Sequence, residues 1–194
     1  MKKNLFTLIF IIMMAASAHA QTGKGKFMTG GSIGVNFGNT KAQYDGTKLY
    51  ETKQFNVLLE PHVGYFVSDG LALGLGIGLS SSTEKYDDNN KDIQNTLLVS
   101  PFARYYTPVG LFGEASVGLG NVNIIEQYEG EKDEYKTGVF GWSVGVGYAI
   151  FLNEHVSLEP SFSYNNIIGT SDEDSKFKTK TGLFMIQVGF NIFL

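Results

Sequence analysis

Arg104 is the only arginine among the 194 residues of this chain. It lies in a segment that alternates with period 2, where Pro101, Ala103 and Tyr105 share one face and Arg104 takes the other. A tight turn at Pro108-Val109-Gly110 follows. Reflection through Val109 sets position 104 opposite position 114, which is Glu114. Glu60 and Glu159 fall on the same side of their own segments, and a planar guanidinium fork holds more than one carboxylate. The chemistry that Arg104, Glu114, Glu60 and Glu159 offer is therefore a structural ion cluster on an interior wall. The plainer alternative leaves Arg104 and Glu114 solvated near one mouth.

Catalytic and metal-binding patterns fare worse. Gly30-Gly31-Ser32-Ile33-Gly34 and Gly141-Trp142-Ser143-Val144-Gly145 both match G-x-S-x-G. That motif exposes a nucleophile only where a strand turns sharply into a helix, and both copies sit inside alternating segments. Gly74, Gly76 and Gly78 lack the spacing and the following helix of a dinucleotide loop. His62 and His155 are the histidines left after residue 20, one on the inner face near Glu60 and one in a turn. Neither completes a Ser/His/acid group, so a structural histidine is the expectation. Asp88-x-Asn90-x-Asp92 opens like a calcium loop, but Ile93 stands where glycine belongs and Val99 where the bidentate glutamate belongs. Solvated acidic loops are expected there and at 129–134. No catalytic residue, cofactor or metal is assigned.

The elements that must position these residues are strands. Leu71-Ala72-Leu73-Gly74-Leu75-Gly76-Ile77-Gly78-Leu79 places every large aliphatic on one face and only alanine or glycine on the other, a sorting that period 2 alone achieves. Eight such segments are predicted, near 27–39, 53–67, 71–82, 95–107, 111–123, 138–152, 156–169 and 178–194. Three-residue turns at 68–70, 108–110 and 153–155 alternate with long polar loops at 40–52, 83–94, 125–137 and 170–177. Pro61, Pro101 and Pro160 recur in an aliphatic-x-Pro-x-apolar-x-Tyr pattern on the apolar face, and local bulges are expected at each.

The second face is poor in charge, which a soluble half-buried sheet would not be. Lipid outside and a small crowded interior account for it. Phe66, Phe102, Tyr106, Phe112 and Met185 point inward, into room left by glycines, so a side-chain-filled interior is expected, with a narrow water-filled cavity as the alternative, and a nutrient pore is not. Phe55, Tyr65, Tyr105, Phe140, Trp142, Tyr148, Tyr164 and Phe190 fit interfacial girdles. Residues 1–20 carry Lys2 and Lys3, a short apolar run and Ala18-His19-Ala20, the layout of a cleaved signal peptide, leaving 21–194 as one barrel domain. The chain has no cysteine, and its formal net charge of −4 argues against a nucleic-acid partner. Three short turns on one side and four long loops on the other are the asymmetry of an outer-membrane barrel closed by pairing of its first and last strands.

In these features the chain resembles the small OmpA/OmpX-type outer-membrane β-barrel family over its whole mature length. The resemblance implies an all-β, eight-stranded antiparallel up-and-down barrel in the outer membrane of a Gram-negative-type cell. It also implies outer-membrane lipid and the barrel insertion machinery as partners, and envelope-structural, adhesion or stress-related work. An extracellular partner would meet loops 40–52, 83–94, 125–137 and 170–177, and a monomer is expected. One departure stands out: such proteins end in an aromatic residue, whereas this chain ends Ile192-Phe193-Leu194, with Phe193 turned inward. The rival readings are a soluble secreted lipocalin-like carrier, which needs the apolar face inside, and a lipid-modifying outer-membrane enzyme, which needs a catalytic group.

Overall fold

The computed structural model describes residues 21–44, 47–85, 91–128, 131–170 and 177–194. The signal peptide expected at 1–20 lies outside them. Alternation produces long strands: β1 (Phe27–Tyr44), β2 (Thr47–Ser68), β3 (Leu71–Lys85), β4 (Lys91–Tyr106), β5 (Leu111–Tyr128) and β6 (Glu131–Tyr148). After Ala149 the sixth wall position resumes as the two-residue β7 (Ile150–Phe151). β8 (Val156–Thr170) and β9 (Phe177–Phe193) complete the set. Each strand pairs antiparallel with its neighbours, β9 pairs with β1, and β6 and β7 both pair with β8, so the eight-position wall closes on itself.

Closure is sheared. From Ile33 the paired residues run through Leu59, Leu79, Leu97, Asn121, Gly138, Thr170 and Lys178 and return to β1 at Gln43, ten residues further on. A shift of that size in eight strands corresponds to a tilt of about 35–45°.

The apolar face is outside. Leu75 is 52% exposed and Val146 58%, whereas Ala72 between two outward leucines is fully buried. This is the reverse of what a soluble lipocalin-like carrier requires. Tyr65, Tyr105 and Tyr148 stand exposed toward the turn end, and Phe140 and Trp142 toward the other.

The turn end is built from local chemistry. Gly70 and Gly110 have φ of 76° and 86°, the left-handed conformation these turns need. At the third turn the Asn153 side chain does the work, its Oδ1 accepting from His155 N at 2.8 Å. The residue before each ascending strand then accepts a hydrogen bond from a neighbouring strand. Lys26 O takes Phe66 N, Gly70 O takes Tyr106 N, Gly110 O takes Ala149 N, and His155 O takes Phe193 N. Four such bonds stitch this rim together.

Two expectations are corrected. The polar stretches at 40–52, 83–94 and 125–137 are mostly strand, and what lies between strands there shrinks to 45–46, 86–90 and 129–130, whereas 170–177 keeps nearly its expected bounds, with 171–176 between β8 and β9; these connecting residues lie outside the described ones. Loss of the apolar face marks where the wall leaves lipid, and hydrogen-bond pairing continues beyond it. The prolines, all outward, make no bulge. Residues 60 and 61 lack partners on β3, 100 and 101 on β5, and the β8 ladder to β6 and β7 breaks beside Pro160, yet the register on either side of each gap is the same. A missing N–H removes a ladder bond without adding a residue. Register shifts occur instead beside Val67 and between Ala42 and Gln43.

Candidate functional site

Arg104 and Glu114 are direct partners across β4 and β5. Glu114 Oε2 accepts from Arg104 Nε, and Glu159 Oε2, on β8 across the barrel, accepts from Nη1 at 2.9 Å. The guanidinium carbon lies 4.8 Å from the Phe112 ring centroid, 5.5 Å from Phe102 and 5.9 Å from Tyr106. Aromatic faces and two carboxylates thus enclose the cation in a site where only 8% of the residue is exposed.

Glu159 is the hub. Besides Arg104, its carboxylate accepts from Tyr106 Oη at 3.1 and 3.2 Å, Ser157 Oγ at 2.7 Å and Asn191 Nδ2 at 2.7 Å. Asn191 Oδ1 in turn lies 2.6 Å from His62 Nε2. At 2% exposure Glu159 is buried with its hydrogen-bonding capacity well used, as a buried carboxylate must be. Glu60 stands apart from the ion pairs. Its Oε2 accepts from Gln187 Nε2 at 3.2 Å, and Gln187 also donates to Ser32 Oγ at 3.0 Å. A void of about 30 Å³ lies among Arg104, Glu60, Glu114 and His62, room for a water molecule.

Of the four residues expected together, Arg104, Glu114 and Glu159 touch, and Glu60 reaches only the void between them. Tyr106, Ser157, Asn191 and His62 join the cluster beyond the four residues expected from the sequence. Tyr106 and His62 are legible as inward-facing, and Ser157 and Asn191 are paired across β8 and β9. Linking them to Arg104 takes the shear, which no single hairpin reveals.

Below the cluster, toward the turns, Phe66, Tyr106, Phe193, Met28, Ala72, Phe112, Ala149 and Phe151 pack into a floor. Phe193 has no exposed surface and its ring contacts Phe66, Tyr106 and Phe151. Glycines make room for these rings. A Cβ at Gly74 would lie 2.4 Å from Phe102 Cζ, and one at Gly147 2.3 Å from Phe112 Cζ, each aromatic belonging to the residue paired with that glycine.

Above the cluster the expectation of a filled interior fails. A cavity of about 850 Å³ occupies the other half, lined by Ser, Thr, Asn and Gln with a few aliphatics, and Glu60 and Glu114 form its base. Inward residues there, such as Ser80, Thr96, Ser100, Ser143 and Ser163, are too small to meet across the lumen. The barrel is a cup, sealed at the turn end.

The G-x-S-x-G serines are placed in strands. Ser143 Oγ shares a hydrogen bond with Ser116 Oγ at 2.8 Å, and Ser32 serves Gln187. His155 Nδ1 lies 3.1 Å from Phe193 O at the turn rim. Among the described residues no group of three His, Cys, Asp or Glu is placed to hold a metal. The calcium-like stretch at 88–92 lies largely outside them.

A family described as "Outer membrane protein beta-barrel domain" matches residues 6–191. No curated protein sequence matches the chain. Among solved structures, Ail, the attachment invasion locus protein of Yersinia pestis, in complex with the heparin analogue sucrose octasulfate, superposes with a TM-score of 0.54 at 13% identity, over 87% of this chain and 99% of Ail. OprG from Pseudomonas aeruginosa gives 0.53 at 14% identity, over 90% and 98%. Neisserial surface protein A gives 0.50 at 14% identity, over 85% and 97%. At such identities the likeness is one of fold. Combined with an apolar face turned outward and a wall closed without edges, the family match over nearly the whole length gives the identity: this chain belongs to the outer-membrane β-barrel domain family.

Proposed function

We propose that this chain is a non-enzymatic outer-membrane barrel that works through its loop-side rim, in adhesion or in the structure of the envelope, and not by conducting solutes. The observation that carries this reading is the sealed turn-side half, where the aromatic floor and the Arg104–Glu114–Glu159 cluster fill the lumen. A cup closed on its inner side cannot pass nutrients, whereas strands that outlast the apolar belt raise its rim above the membrane. Ail, similar in fold, is by its name an attachment protein. An adhesive role here is an extension of that likeness, and the chain's formal charge of −4 favours a neutral or basic partner over a polyanion.

Two measurements test the reading together. Purified barrel in planar bilayers is expected to give no sustained conductance steps. Cells lacking the gene are expected to lose surface attachment or envelope integrity without loss of solute uptake. Steady open-channel current, or an uptake defect alone, would refute it.

A further inference from the structure

Three carboxylates and one guanidinium meet at the bottom of the cup. Arg104 is taken up by Glu114 and Glu159, and Glu60 forms no ion pair among the described residues. Gln187 serves Glu60 Oε2, but Glu60 Oε1 accepts from no group among the described residues, and neither does Glu114 Oε1. Both side chains border the small void and also the large cavity above it, and neither oxygen is shut off from that cavity. Negative charge withdrawn from water without a partner is costly. The base of the cavity is short of a cation.

The mouth is acidic too, and by register. Ser82, Gln94 and Ile124 line the cavity, and two residues further toward the loops, on the same face, stand Glu84, Asp92 and Glu126. They are register partners in turn across β3, β4 and β5, and Asp133 on β6 extends the row. The adjoining row, on the outer face, is Lys85, Lys91, Gln127 and Lys132. Like charges directly opposite one another weaken strand pairing. Set on the lumen side, the acidic row gives the mouth a negative potential that draws cations in.

Between the two acidic levels the lining is neutral, with Leu58, Leu98 and Leu183 among Ser and Thr hydroxyls. The volume, about 850 Å³, is that of a small-molecule site, for which about 300–1,000 Å³ is usual. Two free carboxylate oxygens are too few for a calcium ion, which takes about six to eight oxygen ligands. A primary ammonium has three N–H donors to divide between Glu60, Glu114 and a hydroxyl such as that of Ser163, which also borders both spaces. Methylene segments suit the leucines, and further ammonium groups suit the hydroxyls.

We propose that the loop-side cavity is a binding site for a linear aliphatic polyamine, with one terminal ammonium at Glu60 and Glu114 and the chain rising past Leu98 toward the acidic mouth. The aromatic floor closes the far side, so the amine is held and not passed on, and the site is independent of what the rim binds. Calorimetric titration of the refolded mature barrel with spermidine, in a neutral maltoside detergent at about 0.15 M salt, tests it. Saturable binding of one spermidine per barrel is expected, and none of uncharged 1,8-octanediol. Glu60→Gln keeps an acceptor for Gln187 and removes one charge. It is expected to weaken binding about ten- to hundredfold, the weight of one hydrogen bond to a charged group. Glu126→Gln with Asp133→Asn removes two charges at the mouth and is expected to weaken binding by no more than about threefold. Non-specific attraction would reverse that order, because the mouth variant loses twice the charge. Leu98→Lys, which tethers a competing ammonium inside the cavity, is the second variant should Glu60→Gln fail to fold, and is expected to abolish binding. Heat-modifiable migration reports folding for all three. Absence of saturable spermidine binding would overturn the proposal, as would binding of the diol, the reversed order, or wild-type affinity in folded Glu60→Gln or Leu98→Lys.

Discussion

Arg104 and Glu114 face each other as register partners across β4 and β5, and the arginine Nε donates to the glutamate Oε2. The same guanidinium crosses the lumen to Glu159, so one side chain ties a central hairpin to β8. Removing it strands two carboxylates among aromatic rings. Arg104→Met is expected to lower barrel stability by about 3–5 kcal/mol, because an uncompensated buried charge costs far more than the pair contributes. Arg104→Lys restores charge without the fork and is expected to fall between. Urea titration in detergent, followed by tryptophan fluorescence from Trp142, reads both. Unchanged midpoints would show that the cluster has no structural weight.

Gly74 and Gly138 make a matched pair of glycines. A Cβ at Gly74 would lie 2.4 Å from Phe102 Cζ and 2.3 Å from Val63 O, whereas at Gly138 nothing lies within 4 Å. Gly74→Ala is expected to cost about 1–3 kcal/mol, the usual range for overpacking. Gly138→Ala is expected to be neutral or slightly stabilising. The comparison of the two unfolding midpoints isolates crowding from backbone entropy.

Phe193 anchors the floor although it is one residue from the end. Phe193→Ala empties a fully buried aromatic site against Phe66, Tyr106 and Phe151, with an expected cost of about 3–5 kcal/mol. Heat-modifiable gel migration should shift to lower temperature. Leu194→Ala, on an exposed side chain, serves as the control that should leave it unchanged.

Pro101 interrupts the ladder to β5 without moving its register. Pro101→Val returns an N–H to that gap. It is expected to restore a backbone hydrogen bond worth about 0.5–1.5 kcal/mol, visible as a protected new amide at residue 101 and slowed exchange at Ser100 and the β5 residues beside the gap. Disruption of the β5 register in the variant would instead show that the proline sets the pairing.

What could be read from the chain follows from where period 2 is undisturbed. Residues 71–79 disclose a strand, its faces and its environment at once. Reflection through Val109 finds Glu114 because both strands and their turn are contiguous. Glu159, Asn191 and His62 meet through a ten-residue shear around the whole wall, which no local pattern encodes. The strand ends are not marked in the sequence for a different reason: Thr83, Glu84 and Lys85 pair with β4 as well as leucine does once above the lipid, so hydropathy marks the membrane border and not the end of pairing. The size of the cavity is not legible in the sequence, because small inward residues such as Ser100 and Ser163 leave a gap only in relation to their partners across the lumen.

The aliphatic face of the wall meets lipid while the small-residue face encloses the lumen. The chain contains no cysteine, so single cysteines can report on it directly. Leu75→Cys and Val146→Cys lie on the outer wall, and Ser100→Cys and Ser163→Cys line the cavity. Each is labelled with a small fluorophore in vesicles of brominated phosphatidylcholine. Strong quenching at 75 and 146 with little at 100 and 163 is the predicted result, and the reverse pattern, or equal quenching at all four, would contradict it.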